Sequence, residues 1–236
     1  MAFNTAFIIE DEGNSGAERT RRRDLVEFAV AYALILLVIW MPRLWQHRLW
    51  WVAATVIVAI AARSFDGLKA MGLKTGSWLR SLAVVGGALL ASAVAVVIAV
   101  RLHTLRIPGS PMLFIEAYTG YALWAFVQQF LLQCFFLSRL LRLLPNVKLA
   151  VAAAAVLFAV AHLPNPILTP ITLLWGLAAC LLFLRDRNLY ALGMAHAIAG
   201  ISIAIAVPGP LDHNMRVGMG YLTYVPTHKI IPSVRP

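Results

Sequence analysis

Residues 117–163 read AYTGYALWAFVQQFLLQCFFLSRLLRLLPNVKLAVAAAAVLFAVAHL. Two apolar runs stand here back to back, and their charged residues, Arg139, Arg142 and Lys148, are confined to the junction, together with Pro145 and Asn146. A helix that crosses a bilayer needs roughly 20 mostly apolar residues, so each run is of spanning length or close to it. Within the runs, Gln128, Gln129, Gln133 and His162 are polar side chains at hydrocarbon depth. Such groups are expensive there and turn toward a bundle interior or a water-filled cavity. The stretch therefore predicts an all-α, polytopic membrane bundle with a polar interior.

Working outward, further spans are expected at 25–41, 50–62, 79–100, 167–184 and 189–207, beside 117–144 and 147–163, about seven in all. The 236 residues are 61% hydrophobic and 13% charged, well outside the balance of a soluble domain. The span at 50–62 is short, so it is tilted, re-entrant or extended by its flanking tryptophans. Pro111, Pro145, Pro164, Pro166, Pro170 and Pro208 fall at or near predicted ends, where a missing amide donor does least harm. Gly86, Gly87 and Ala91, and Gly193, Ala197 and Gly200, make small faces suited to close helix packing. Three parts result: a polar N-terminal segment 1–24, a transmembrane bundle 25–207 and a polar tail 208–236. The opening segment carries Glu10, Asp11, Glu12 and an arginine cluster and lacks an apolar core, so the first span is expected to act as the insertion signal.

The net charge of +10 does not indicate nucleic acid, because the basic residues flank apolar spans and are not interleaved with aromatics. Membrane lipids are the expected partners of that charge. With the N-terminus inside, 13 Lys and Arg residues face the cytoplasm and 7 the other side, which predicts a cytoplasmic N-terminus provided the short second span crosses. Cys134 and Cys180 lie inside spans and read as small buried side chains. Trp40, Trp45, Trp50, Trp51 and Trp78 read as interface anchors, and Glu27 as an interfacial group near the N-terminal arginines.

Three polar clusters remain. WAFVQQFLLQCFFLSRLL holds Gln128, Gln129 and Gln133, with Gln129 and Gln133 four apart on one face. FAVAHLPNP holds Phe158 and His162 one turn apart, and Asn165 between two prolines. MAHAIAG places His196 near the middle of the last span. Antiparallel neighbours put the glutamines and His162 toward the same membrane side, and His196 lies close to the midplane. One cavity is expected to hold all three.

In order and spacing these clusters resemble the CPBP family of CAAX proteases and bacteriocin-processing enzymes, the abortive-infection type of glutamic intramembrane protease, over about 117–207. That family carries Glu-Glu-x-x-x-Arg on one helix, Phe-x-x-x-His on the next, and His-x-x-x-Asn or a similar residue on a later one. Phe158 and His162 match the second motif in full, and His196 with Gly200 matches the third at its histidine alone. Gln128, Gln129 and Gln133 stand where the two glutamates and the arginine belong. The resemblance implies an endopeptidase in which a glutamate and His162 activate water and the third motif holds the oxyanion. It further implies a membrane-anchored or prenylated peptide or protein as substrate. His162, His196, Gln128 and Gln129 are then the candidate catalytic set. Gln133, Phe158, Asn165 and Gly200 are candidates for binding substrate, with Phe158 packing against His162 to orient it.

The glutamines change the chemistry. An amide is no base near neutral pH, so Gln128 and Gln129 are left to position water or substrate, and His162 remains as the general base. Losing glutamates and arginine together leaves no unpaired buried charge. Zinc needs three protein ligands as a rule, and two histidines with Glu116 three turns away do not supply them, so no cofactor is expected. Asp212, His213 and Asn214 either fold over the pocket mouth or form a solvated loop. Against the endopeptidase stands a second reading, a catalytically silent member that binds a peptide, lipid or prenyl tail as an immunity, scaffolding or transport accessory. A small transporter is disfavoured, since no inverted repeat is visible.

Overall fold

The structure, a computed structural model, describes residues 4–65, 67–73 and 77–225, which form helices and no strand. The long elements are α1 (Asn4–Trp40), α2 (Arg43–Arg63), α3 (Trp78–Arg101), α4 (Pro111–Phe130), a π-helical segment (Leu131–Leu137), α5 (Ser138–Leu143), α6 (Val147–Val160), α7 (Leu168–Asp186) and α8 (Leu189–Ala206). Two short turns, α9 (Gly209–Asp212) and α10 (Gly218–Leu222), follow. α4, the π segment and α5 make one continuous rod, Pro111–Leu143. That rod, α2, α3, α7 and α8 are long and apolar enough to cross a membrane, and α6 is a shorter apolar helix. The molecule is an integral membrane protein.

The helix starts follow from local chemistry. Pro111 sits at the first position of α4 and the Leu113 amide donates to Ser110 Oγ at 3.3 Å. Asn146 and Asn188 cap α6 and α8 in the same way, accepting from Leu149 N (2.8 Å) and Ala191 N (3.1 Å). Each cap satisfies an amide that the first helical turn leaves without a partner, which matters more where no water is available to take it.

Successive helices alternate in direction. At one end of the bundle Ser64, following α2, donates to Glu27 of α1 at 3.1 Å, so the short second span does return across the bundle. Its length comes from the Arg43–Trp51 stretch, tryptophans included, that extends it N-terminally. The same end holds the Arg80–Asp186 contact (3.0 Å) and the Asn188–Ser81 hydrogen bond (2.6 Å), which join the start of α3 to the α7–α8 turn. At the other end Arg106 N donates to Ile205 O (2.8 Å) and Gly218 N to Leu163 O (2.7 Å). α10 is wedged there against the end of α1. A Cβ on Gly218, which has φ +54°, would lie 2.9 Å from the Ile39 carbonyl carbon.

The π segment occupies the centre. Leu132 to Leu137 are all buried, a run of six that no single helix face would produce. One side of it packs on Ala31, Ile57 and the T-shaped Phe28–Phe136 and Tyr32–Phe136 pairs, and the other on α6 and α7 through Ala150, Ala154, Cys180 and Phe183. α3 instead turns Leu82, Leu89, Leu90 and Val94 outward, as a lipid-facing helix does.

Several expectations change. Glu27 is not simply interfacial among the N-terminal arginines. Besides a 3.7 Å contact to Arg23, it holds the buried Arg139 of α5 at 2.6 Å. Arg139 also donates to Ser64 Oγ (2.9 Å) and Phe135 O (3.1 Å) and lies 3.7 Å over the Phe135 ring, while Arg142 grips buried Asp24 with two hydrogen bonds. The small face at Gly86 and Gly87 meets open space, whereas Gly193 and Gly200 accept aromatic rings of α4. The N-terminal segment 1–24 continues α1 back to Asn4. Lys74, Lys229 and Arg235, which entered the charge asymmetry, lie outside the described residues.

Candidate functional site

α4, α6, α7 and α8 surround a cavity of about 1030 Å³ that reaches α1 and, at one end, Arg106, Pro108 and Asn214. Gln128, Phe158, His162, His196 and Gly200 all line it, together with Tyr121, Thr172 and Trp175. Most of the remaining wall is apolar, with Tyr32, Arg106, Tyr118 and Asn214 as polar exceptions, and among the described residues no acidic side chain contributes to it. Asp212, His213 and Asn214 do fold back. Asn214 lines the cavity and accepts from Arg106 Nη1 (3.0 Å), and His213 stacks on Tyr221 with ring centroids 3.9 Å apart.

The two histidines are held with opposite polarity. His162 Nδ1 is 2.7 Å from the Phe158 carbonyl oxygen, an acceptor only, so Nδ1 carries the proton and Nε2 is left with its lone pair. His196 Nδ1 faces Gln129 Nε2 at 3.1 Å, and Gln129 Oε1 in turn accepts from Gln133 Nε2 at 3.2 Å. An amide nitrogen donates, so His196 Nδ1 accepts and its proton sits on Nε2. The Phe158 ring separates the rings, 4.8 Å from His162 and 5.8 Å from His196, both edge-on, and Trp175 lies 6.0 Å from His196. A proton acceptor and a proton donor are thereby presented to one apolar space.

The glutamines divide their work. Gln128 faces the cavity, while Gln129 and Gln133 are fully buried behind His196 and belong to its support. Gln133 is thus not a wall residue, and its Oε1 has no partner among the described residues. Asn165 is likewise turned away. Its Oδ1 accepts from Ile167 N (3.0 Å) and Leu168 N (2.9 Å) at the start of α7, and its Nδ2 donates to Asp212 O (2.7 Å) and Arg216 O (3.0 Å). Flanked by Pro164 and Pro166, it ties the α6–α7 turn to the segment after α8 that carries Asn214. Among the described residues no three His, Cys, Asp or Glu side chains come together as a metal set.

Tyr121 and Thr172 are wall residues that the motif pattern did not single out. Tyr121 stands seven residues before Gln128 on α4, a spacing that returns it to the same face, and that periodicity was the available signal.

A polytopic helical bundle with Phe-x-x-x-His and a second histidine around one intramembrane cavity defines the class of protein. Residues 110–202 match the family model described as type II CAAX prenyl endopeptidase Rce1-like, so that segment is similar to the CPBP family. Neither curated proteins nor solved structures give a match.

Proposed function

We propose that the protein is a CPBP-type intramembrane endopeptidase in which His162 and His196 do the work without a glutamate. The observation that carries this is the opposed hydrogen bonding of the two rings on one cavity. Water held at His162 Nε2 gives its proton to that nitrogen as its oxygen attacks the peptide carbonyl. Negative charge grows on the carbonyl oxygen opposite His196 Nε2–H, where a fixed donor in a dry site is most effective. The proton on His162 then passes to the leaving nitrogen as the C–N bond breaks, leaving a carboxylic acid and an amine. Gln128 orients the water or the carbonyl. The apolar wall suits a membrane-associated peptide with a lipid tail, the prenylated class that the family description names for its members. No cofactor takes part in this scheme.

The full-length protein in nanodiscs is tested with a panel of farnesylated and membrane-anchored peptides, read by mass spectrometry. Cleavage is expected and His162→Ala abolishes it, a loss of roughly 10²–10⁴-fold for a general base. No cleavage by the wild type across the panel sinks the enzymatic reading. That no carboxylate lines the cavity among the described residues favours a second reading, a silent member that binds the same tail. Gln128→Glu, Gln129→Glu and Gln133→Arg together distinguish the two, since hydrolysis gained only on restoration marks a silenced site.

A further inference from the structure

The third motif is incomplete at Gly200, but the space is not empty. A Cβ built on Gly200 would overlap the Tyr121 phenol of α4, 2.4 Å from Cζ and 2.6 Å from Cε1, with the hydroxyl oxygen nearest of all. No residue with a side chain fits at 200 while Tyr121 keeps this position. Both Tyr121 and Gly200 line the cavity, and Gly200 stands one helical turn from His196 on the same face of α8. The tyrosine hydroxyl therefore enters from the neighbouring helix at the place on the wall where His-x-x-x-Asn would put an amide. Among the described residues it has no hydrogen-bond partner.

We propose that the Tyr121 hydroxyl replaces the missing asparagine as the second hydrogen-bond donor, after His196, to the carbonyl oxygen of a peptide bound in the cavity. This rests on the reading of the cavity as a peptide-processing site. A phenol suits the task because its O–H is free to rotate toward the oxygen and its ring is wedged against α8, so little order is lost on binding. The exchange is coupled: the glycine admits the ring, and the ring supplies the donor that the glycine lacks.

The test uses the full-length protein in nanodiscs and a farnesylated peptide carrying ¹³C at the amide carbonyls next to its prenylated residue. Infrared difference spectra of the bound peptide are expected to show a carbonyl band lowered in frequency for wild type and returned upward in Tyr121→Phe, which keeps the ring and loses only the hydroxyl. In turnover, Tyr121→Phe is expected to lower kcat by roughly 10²-fold or more with a much smaller rise in KM, the signature of a donor that binds the oxyanion more strongly than the ground-state carbonyl. The double variant Tyr121→Ala/Gly200→Asn vacates the space and refills it with an amide, and is expected to recover the band shift. An identical band in wild type and Tyr121→Phe overturns the tyrosine assignment and leaves the peptide site standing. A double variant that binds normally and shows no recovered shift also overturns it. Absence of peptide binding by the wild type overturns the site and the tyrosine together.

Discussion

Gln129 is the residue on which the orientation of His196 depends. It is fully buried, and both ends of its amide are committed, one to Gln133 and one to His196 Nδ1. Gln129→Leu keeps the volume but strands two polar groups. Hydrogen bonds inside membrane proteins are worth about 1–2 kcal/mol at most, so the loss of stability is expected to be of that size, measurable by thermal unfolding in detergent. The greater effect falls on the ring, which is released to take either tautomer. Gln129→Leu is therefore expected to depress kcat more than KM, whereas a merely structural role predicts reduced yield with unchanged kcat per folded molecule.

Among the helices, α1 and α5 are locked by charge. Arg139 is 2% exposed and Glu27 14%, so a buried guanidinium rests on a partly buried carboxylate, and removing the carboxylate strands it. Glu27→Ala is expected to cost about 3–5 kcal/mol, and Glu27→Leu combined with Arg139→Met much less, because replacing both ends by apolar groups leaves no orphan charge. Chemical unfolding of the three proteins decides it. A pH dependence belongs to the turn after α8. Burial raises the Asp212 carboxyl above its ordinary value, and its Oδ2 has no partner among the described residues. The folded protein then keeps the proton over a range where the unfolded chain has lost it. Stability is present in full below the unfolded value of about 4 and falls as pH rises through the folded one. Melting temperatures from pH 3.5 to 7 are expected to decline with this contribution, and Asp212→Asn to flatten it.

At the scale of the molecule, the alternation of helices and the distribution of charge meet. The end with Glu27, Arg139 and Arg80 lies opposite the end of the cavity at Arg106 and Asn214. With the positively charged end inside, Lys69→Cys is expected to react with an impermeant maleimide only from the cytoplasm and Leu211→Cys only from the far side. Cys134 and Cys180 are buried and contribute little background. The reverse pattern would place the Arg106–Asn214 end of the cavity in the cytoplasm.

Membrane class, the order of the spans and the grouping of Phe158, His162 and His196 were legible in the sequence, because hydrocarbon tolerates so few polar groups that each survivor is informative. Depth along a helix is also written there, since rise per residue is constant. Azimuth is not. Lipid and protein interior are equally apolar, so a spanning helix has no hydrophobic stripe to mark its inner face. That is why only the tertiary structure separates Gln128 at the wall from Gln129 and Gln133 behind it, turns Asn165 into a cap, and joins Glu27 to Arg139. The pairing of Gly200 with Tyr121 was hidden for the same reason: it is a contact between two helices about 80 residues apart, and only packing brings their faces together.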